Sequence, residues 1–139
     1  MNNYKPLKKE DAKKEVESFI KLKVNCPDDL RKLPSESGIY AVVDTSGEII
    51  YIGKSVKLRS RWYAKNIEMI PEEHRKSFPA RNQIYHSSNS IFWQAHKMLY
   101  HVLELGCHIS YKLYPKLEAA HLELDLINSL KPAHNTCTT

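Results

Sequence analysis

Two short runs rich in Ile, Val and Tyr, one opening at Gly38 and the other closing at Gly53, flank Asp44-Thr45-Ser46-Gly47. No other feature constrains the chain as much. Asp and Ser bond their own turn backbone, Gly supplies the positive φ of a tight reversal, and the flanking runs favour strands, so the segment folds as an antiparallel hairpin. With those four residues as the loop, Val43 opposes Glu48 and Tyr40 opposes Tyr51. Directly opposed residues project from the same face of a sheet, so both phenols share one side. A slip of one residue would separate them, and the sequence leaves the register open.

Around this hairpin the 139 residues suit one domain with its own core. Hydrophobic residues at 42% and charged residues at 27% exclude a disordered or fibrous chain. Residues 8–22 place Ala12, Val16, Phe19 and Ile20 at helical spacing, which predicts an amphipathic helix. Ser55 can cap a helix from Val56 to about Asn66, with Lys57, Arg61 and Lys65 four apart as a cationic stripe and Leu58 and Trp62 as its apolar side. Residues 67–89 read as irregular, interrupted by Pro71 and Pro79. A helix over residues 90–105 closes at Gly106, a third strand spans residues 108–114, and a last helix runs from Pro115 to about Leu130, stopped by Pro132. Residues 1–33 are expected as a helix and connecting segment packed on a body formed by residues 34–139.

Charge and cysteines narrow the function classes. Lys and Arg outnumber Asp and Glu by 21 to 16, a basic excess that points to nucleic acid only if it clusters. Cys26, Cys107 and Cys137 stand far apart without a CxxC pair, which argues against a cysteine zinc site and a disulfide framework and suits a reducing cytoplasm. His96 and His101 are five apart and fall on different faces of a helix, a poor zinc pair. No apolar run approaches a membrane span and the N-terminus lacks a signal-peptide core, so a soluble, cytoplasmic protein with no membrane partner is expected.

The last helix carries a carboxylate on the wrong side. Leu117, Ala119, Ala120, Leu122, Leu124, Leu126, Ile127 and Leu130 share one broad arc at about 100° per residue. Glu123 lies near the middle of that arc, between Leu130 and Ile127. Ionised and alone there, it would cost on the order of several kcal/mol in desolvation. Two readings remain: an ion pair with a core-facing Arg or Lys, or a ligand for a hard cation such as Mg²⁺, which takes one carboxylate and keeps several waters.

These residues resemble the GIY-YIG nucleases. Gly38-Ile39-Tyr40 and Tyr51-Ile52-Gly53 look like the two motifs that name the family, and Lys54-Ser55 follows the second as it often does there. Arg61 stands ten residues after Tyr51, where the family places its catalytic arginine. Glu123 and Asn135, in Leu122-Glu123…Leu126-Ile127…Lys131-Pro132…Asn135, are similar to the family's metal-binding glutamate and closing asparagine. Leu117-Glu118-Ala119-Ala120 looks like the opening of that helix in bacterial excision-repair nucleases. The likeness runs from Leu33 to Asn135.

The resemblance implies an α/β chain of the α+β type, with a small three-stranded antiparallel sheet flanked by helices. It also implies a DNA endonuclease that hydrolyses phosphodiesters with one divalent metal, Mg²⁺ or Mn²⁺, at Glu123. Tyr40 would be the general base and Tyr51 would position water or phosphate. Arg61 would stabilise charge on the phosphoryl oxygens, Lys54 or the metal would favour the phenolate, and Asn135 would hold the geometry. Arg59, Lys57 and Lys65 would bind nucleic acid. Ionising a free phenol at pH 7 costs about 4 kcal/mol, so this chemistry needs a cation beside Tyr40. One departure stands out: the family usually carries His or Tyr four residues after the arginine, and here Lys65 takes that place, with His74 and His86 as other candidates. Tyr85, Phe92, Trp93 and Tyr100 could stack on single-stranded bases, although packing is the commoner role. Competing readings are a binding module of this fold, and a nuclease that is silent without a partner protein or a second copy.

Overall fold

The structure, a computed structural model, describes residues 7–63, 65–77 and 98–135. A four-stranded antiparallel sheet forms its centre, built from β1 (Ile20–Leu22), β2 (Gly38–Val43), β3 (Ile49–Ser55) and β4 (His108–Leu113) in the order β1-β4-β2-β3. The helices are α1 (Lys9–Glu17), α2 (Leu58–Trp62), α3 (Lys65–Glu68), α4 (Glu72–Ser77), α5 (Met98–Leu103) and α6 (Lys116–Leu130), with 3-10 turns at Pro27–Lys32 and Ala133–Asn135. The expected α+β arrangement is present.

Strand β2, Gly-Ile-Tyr-Ala-Val-Val, carries no charged side chain and every residue of it is buried. Such a strand has to lie in the middle of a sheet covered on both faces. On one face Tyr40, Val42 and Ile50 meet Leu58 and Trp62 of α2 and the buried side of α5. On the other, Ile39, Ala41, Val43 and Ile52 meet Ala12 and Val16 of α1 and Ala119 and Leu126 of α6. Gly38 is required where β2 passes close to β4, because a Cβ there would come within 2.5 Å of the Lys112 carbonyl oxygen.

The hairpin forms in a different register from the one expected. Asp44 pairs with Glu48 through its N–H at 2.9 Å, so the loop is the three residues Thr45, Ser46 and Gly47, with Gly47 at φ 90°. Asp44 Oδ1 accepts bonds from the Ser46 and Glu48 N–H groups, which fixes the shorter reversal. Val43 then opposes Ile49, but Val42 opposes Tyr51, leaving Ile50 as the extra residue of a β-bulge. Beyond it Tyr40 faces Gly53, not Tyr51.

Five further expectations change. The helix over residues 8–22 stops at Glu17, and Ile20–Leu22 becomes the fourth strand, paired with β4. Phe19 is the last buried position of the helical pattern, and the following Ile-Lys-Leu-Lys alternation suits an edge. The Ser55 hydroxyl bonds the Lys57 N–H and carbonyl, closing a turn instead of capping a helix. Helix α2 ends at Trp62, so Lys57, Arg61 and Lys65 form no continuous stripe. Within residues 67–89, α4 is ordered through an Arg75–Asp28 ion pair at 3.1 Å, while Ile67 and Ile70 enter the core; residues 78–97 lie outside the described ones. In α6, Leu117 and Leu124 are 75% and 56% exposed, so its buried arc is narrower than the pattern suggests. Among the described residues no helix is long and apolar enough to cross a membrane.

Helix α1 is clasped to the sheet by Glu15, which accepts from the Tyr114 hydroxyl and pairs with Lys112 at 3.3 Å. The Tyr114 bond, ahead of Lys112, holds the Glu15 carboxyl below its usual range against the opposing effect of burial. A depressed pKa contributes stability above the unfolded value and loses it as pH falls through the folded one. Tyr114→Phe is therefore expected to lower stability by about 1 kcal/mol near neutrality. In urea titrations its difference from the unsubstituted chain should fade below the ordinary glutamate range.

Candidate active site

The bulge at Ile50 determines which side chains meet. Without it, continuing the Val43–Ile49 pairing would place Tyr51 opposite Ala41, on the far face from Tyr40. With it, Tyr40 and Tyr51 occupy one face as diagonal neighbours, their rings stacked at 6.2 Å and 27°. The expectation that both phenols share a side holds, by a different route. Trp62 meets the Tyr40 ring edge-on at 5.2 Å.

Gly53 completes the cradle. A Cβ at this position would lie 2.5 Å from both Cζ and the hydroxyl oxygen of Tyr40. The phenol thus lies across the bare backbone of β3, the strand on the sheet's outer edge. Beyond that edge no strand among the described residues meets the outward-facing N–H and carbonyl of Ile52, and Asn135 bonds both. Its Oδ1 accepts the Ile52 N–H at 2.8 Å and its Nδ2 donates to the Ile52 carbonyl at 3.0 Å. Asn135 thus grips β3 between Tyr51 and Gly53.

Tyr40 is 1% exposed, and burial pushes its phenol up to about 12. A hydrogen bond from Arg61 opposes that shift, whereas the charges of Tyr51 and Glu123 add to it. Three residues from separate elements thus act on one hydroxyl group. Ionising Tyr40 at pH 7 would cost about 7 kcal/mol, some 3 kcal/mol more than a free phenol.

Glu123 is half-buried on α6. Burial raises its carboxyl, and Lys54, exposed on β3, partly offsets the effect. Among the described residues Glu123 forms no ion pair, and Lys54 is the cation whose charge acts on it. No cluster of three or more acidic, His or Cys side chains suited to a metal occurs among the described residues. A single carboxylate, desolvated and only partly compensated, fits a hard cation that retains most of its waters.

The other expected residues divide. Lys57 is exposed beside α2, whereas the Arg59 Nε donates to the Leu33 carbonyl at 2.8 Å. The Lys65 side chain, together with Tyr85, His86, Phe92 and Trp93, lies outside the described residues. His74 sits on α4, next to the Arg75 that docks this helix on the first 3-10 turn. Tyr100 is half-buried against the core, which is the packing role. Two contributors escaped the sequence reading, Trp62 as the wall of Tyr40 and Ile50 as the bulge. The unbroken apolar run Ile49–Ile52 offers no alternation from which a bulge could be read.

Gly53→Ala is expected to push the Tyr40 ring out of its seat at a cost of about 1–3 kcal/mol. The melting temperature should then fall by roughly 2–12 °C. A crystal structure of the variant should show Tyr40 displaced from Arg61.

No family model matches the chain. It is 30% identical over 106 residues to the UvrABC system protein C of Thermoanaerobacter sp. (strain X514), covering 76% of this chain and 14% of that protein. To the protein of the same name from Microcystis aeruginosa it is 62% identical over 32 residues, 23% of this chain and 5% of that one. The chain therefore spans only a small part of the curated relatives it matches. Among solved structures it is similar to the GIY-YIG N-terminal endonuclease domain of UvrC from Thermotoga maritima bound to magnesium, at 20% identity and a TM-score of 0.48, over 77% of this chain and 91% of that one. The two motif tripeptides and the arginine, glutamate and asparagine stand in order along a chain that is similar to UvrABC system protein C over three-quarters of its own length.

Proposed function

We propose that this chain is a divalent-metal-dependent endonuclease that hydrolyses phosphodiester bonds in DNA. The observation that carries the reading is the convergence of Tyr51, Arg61 and Glu123 on the Tyr40 hydroxyl at the open edge of β3. Glu123 is the metal ligand, for Mg²⁺ or Mn²⁺. The Thermotoga UvrC domain is described as bound to its catalytic divalent cation, magnesium, which supports that choice. When bound, such a cation supplies positive charge that favours ionised oxygens and neutralises the leaving group.

The remaining roles belong to the chain. Tyr40 Oη accepts the proton of the attacking water. The Arg61 hydrogen bond favours the phenolate this requires, and Arg61's other donors hold the phosphoryl oxygens in a fork. Tyr51, stacked on Tyr40, orients water or phosphate through its hydroxyl. Lys54 moderates the charge of Glu123, and Asn135 is a positioning residue that holds β3. Arg59, Lys57 and Lys65 contribute to strand binding. Residues 34–139 carry this activity, with α1 and the edge strand β1 from residues 7–33 completing their sheet, in a cytoplasmic protein.

A second reading has one observation in its favour. Tyr40 is a buried, neutral phenol already bonded to Arg61, a resting state that suits a nuclease activated by a partner protein or a second copy. Assays on circular single-stranded DNA and supercoiled plasmid, with Mg²⁺ or EDTA, distinguish the cases. The endonuclease cuts with metal, Glu123→Ala abolishes cutting, and Arg61→Ala lowers the rate about 10²–10³-fold. Binding without cutting, across metals and substrates, would sink the first reading.

The Tyr40 shift also fixes a pH dependence. Because the phenol ionises well above neutrality, the active fraction grows about tenfold per pH unit below its pKa. Single-turnover cleavage should therefore rise with unit slope from pH 6 to about 9, and Tyr40→Phe should abolish both rate and slope. A flat profile in the unsubstituted enzyme would exclude Tyr40 as the base.

A further inference from the structure

The outer side of α2 bears a second concentration of positive charge, separate from Tyr40 and Glu123. A cleft of about 530 Å³ there is lined by Arg31, Arg59, Ser60, Tyr63, Glu68 and Arg75. Its three arginines come from the first 3-10 turn, α2 and α4. Arg75 is structural, since it pairs with Asp28 at 3.1 Å and donates to the Glu68 and Ile70 carbonyls. Asp28 is already committed, because it also accepts the Tyr63 hydroxyl at 2.7 Å.

Arg31 and Arg59 are different. Neither forms an ion pair among the described residues, yet both are held in place by uncharged groups. The Arg31 guanidinium lies over the Tyr63 ring, 5.6 Å from its centroid. Arg59 is pinned by one donor to the Leu33 carbonyl at 2.8 Å. A structural arginine cluster would be expected to consume its cations in carboxylate pairs. Here two are fixed with most of their donors left for an external anion, and Ser60 adds a hydroxyl. Glu68 is the one carboxylate in this lining, and it opposes anion binding.

Arg59 and Arg61 are two residues apart on α2, about 200° around its axis. The two sites therefore lie on opposite flanks of one helix, about 10–12 Å across with its side chains. Each strand of a duplex advances about 3.4 Å along the axis per phosphate, so that width corresponds to about three phosphates. We infer that the Arg31–Arg59–Ser60 cleft is a phosphate subsite, gripping the backbone of the DNA strand that crosses Arg61 about three phosphates from the scissile bond. The identity of that strand rests on the nuclease reading above.

The test uses the full chain carrying Glu123→Ala, so that binding is read without cleavage. Fluorescent single-stranded DNA of about 3 and about 12 nucleotides is titrated by anisotropy between about 50 and 200 mM salt. Adding Arg31→Gln should weaken the longer strand about 3- to 10-fold and reduce the salt slope by about 0.7, the value of one phosphate contact, while sparing the shorter one. Arg59→Gln should do the same, and Glu68→Gln should tighten the longer strand. Thermal melts establish that each variant is folded; if Arg59→Gln is not, the exposed Arg31→Gln decides alone. Unchanged affinity and slope in folded Arg31→Gln overturn the cleft, and cleavage by the unsubstituted chain would then leave the nuclease reading standing. Loss of long-strand affinity in Arg31→Gln, with no cleavage by the unsubstituted chain, supports the cleft and overturns the nuclease.

Discussion

Pairing between β2 and β3 shifts by one residue at Ile50, and the candidate site depends on that shift. Side chains alternate along a strand, so a one-residue insertion moves everything beyond it to the other face. Here it carries Tyr51 to the side of Tyr40 and sets Gly53, which has no side chain, opposite the Tyr40 ring. The ring then lies over open backbone and reaches the sheet edge, where Arg61 from α2 bonds it. Asn135 holds the same stretch from the other end of the chain by taking both backbone groups of Ile52. The bulge, the glycine and the asparagine thus act on one short segment of β3.

The electrostatics follow from where this segment sits. Burial favours the neutral form of both Tyr40 and Glu123, and each would resist ionisation more if the other were charged. Arg61 and Lys54 offset only part of this, because Tyr40 still lies near 12 and Glu123 above its ordinary range. A site that desolvates two acidic groups side by side without a full set of protein cations is suited to an added cation.

Much of this was legible in the sequence, and the misses have physical causes. The third strand and the last helix have strong periodicity and clear Pro signals, and they lie within a residue of where the pattern predicts. The misplaced Glu123 stood out because a carboxylate on an apolar arc needs a reason. Strand β1 was hidden, since Ile20-Lys21-Leu22 is too short to display alternation after a helix that shares its composition. The hairpin register failed because loop length depends on Asp44 bonding Glu48, a choice between two turns that local composition does not decide. The break after Trp62 was invisible because Lys57, Arg61 and Lys65 keep helical spacing even though the chain leaves the helix at Tyr63.

The central claim is that a buried Tyr40 phenol and a single cation at Glu123 form one site. Carbon-13 NMR of Cζ-labelled tyrosine, with Tyr40 assigned by Tyr40→Phe, reads this directly in a pH titration. The account predicts a Tyr40 pKa near 12 without metal, a downward shift on adding Mg²⁺, and no shift in Glu123→Ala. A Tyr40 that titrates near 10, as a free phenol does, and ignores Mg²⁺ in the unsubstituted chain would contradict it.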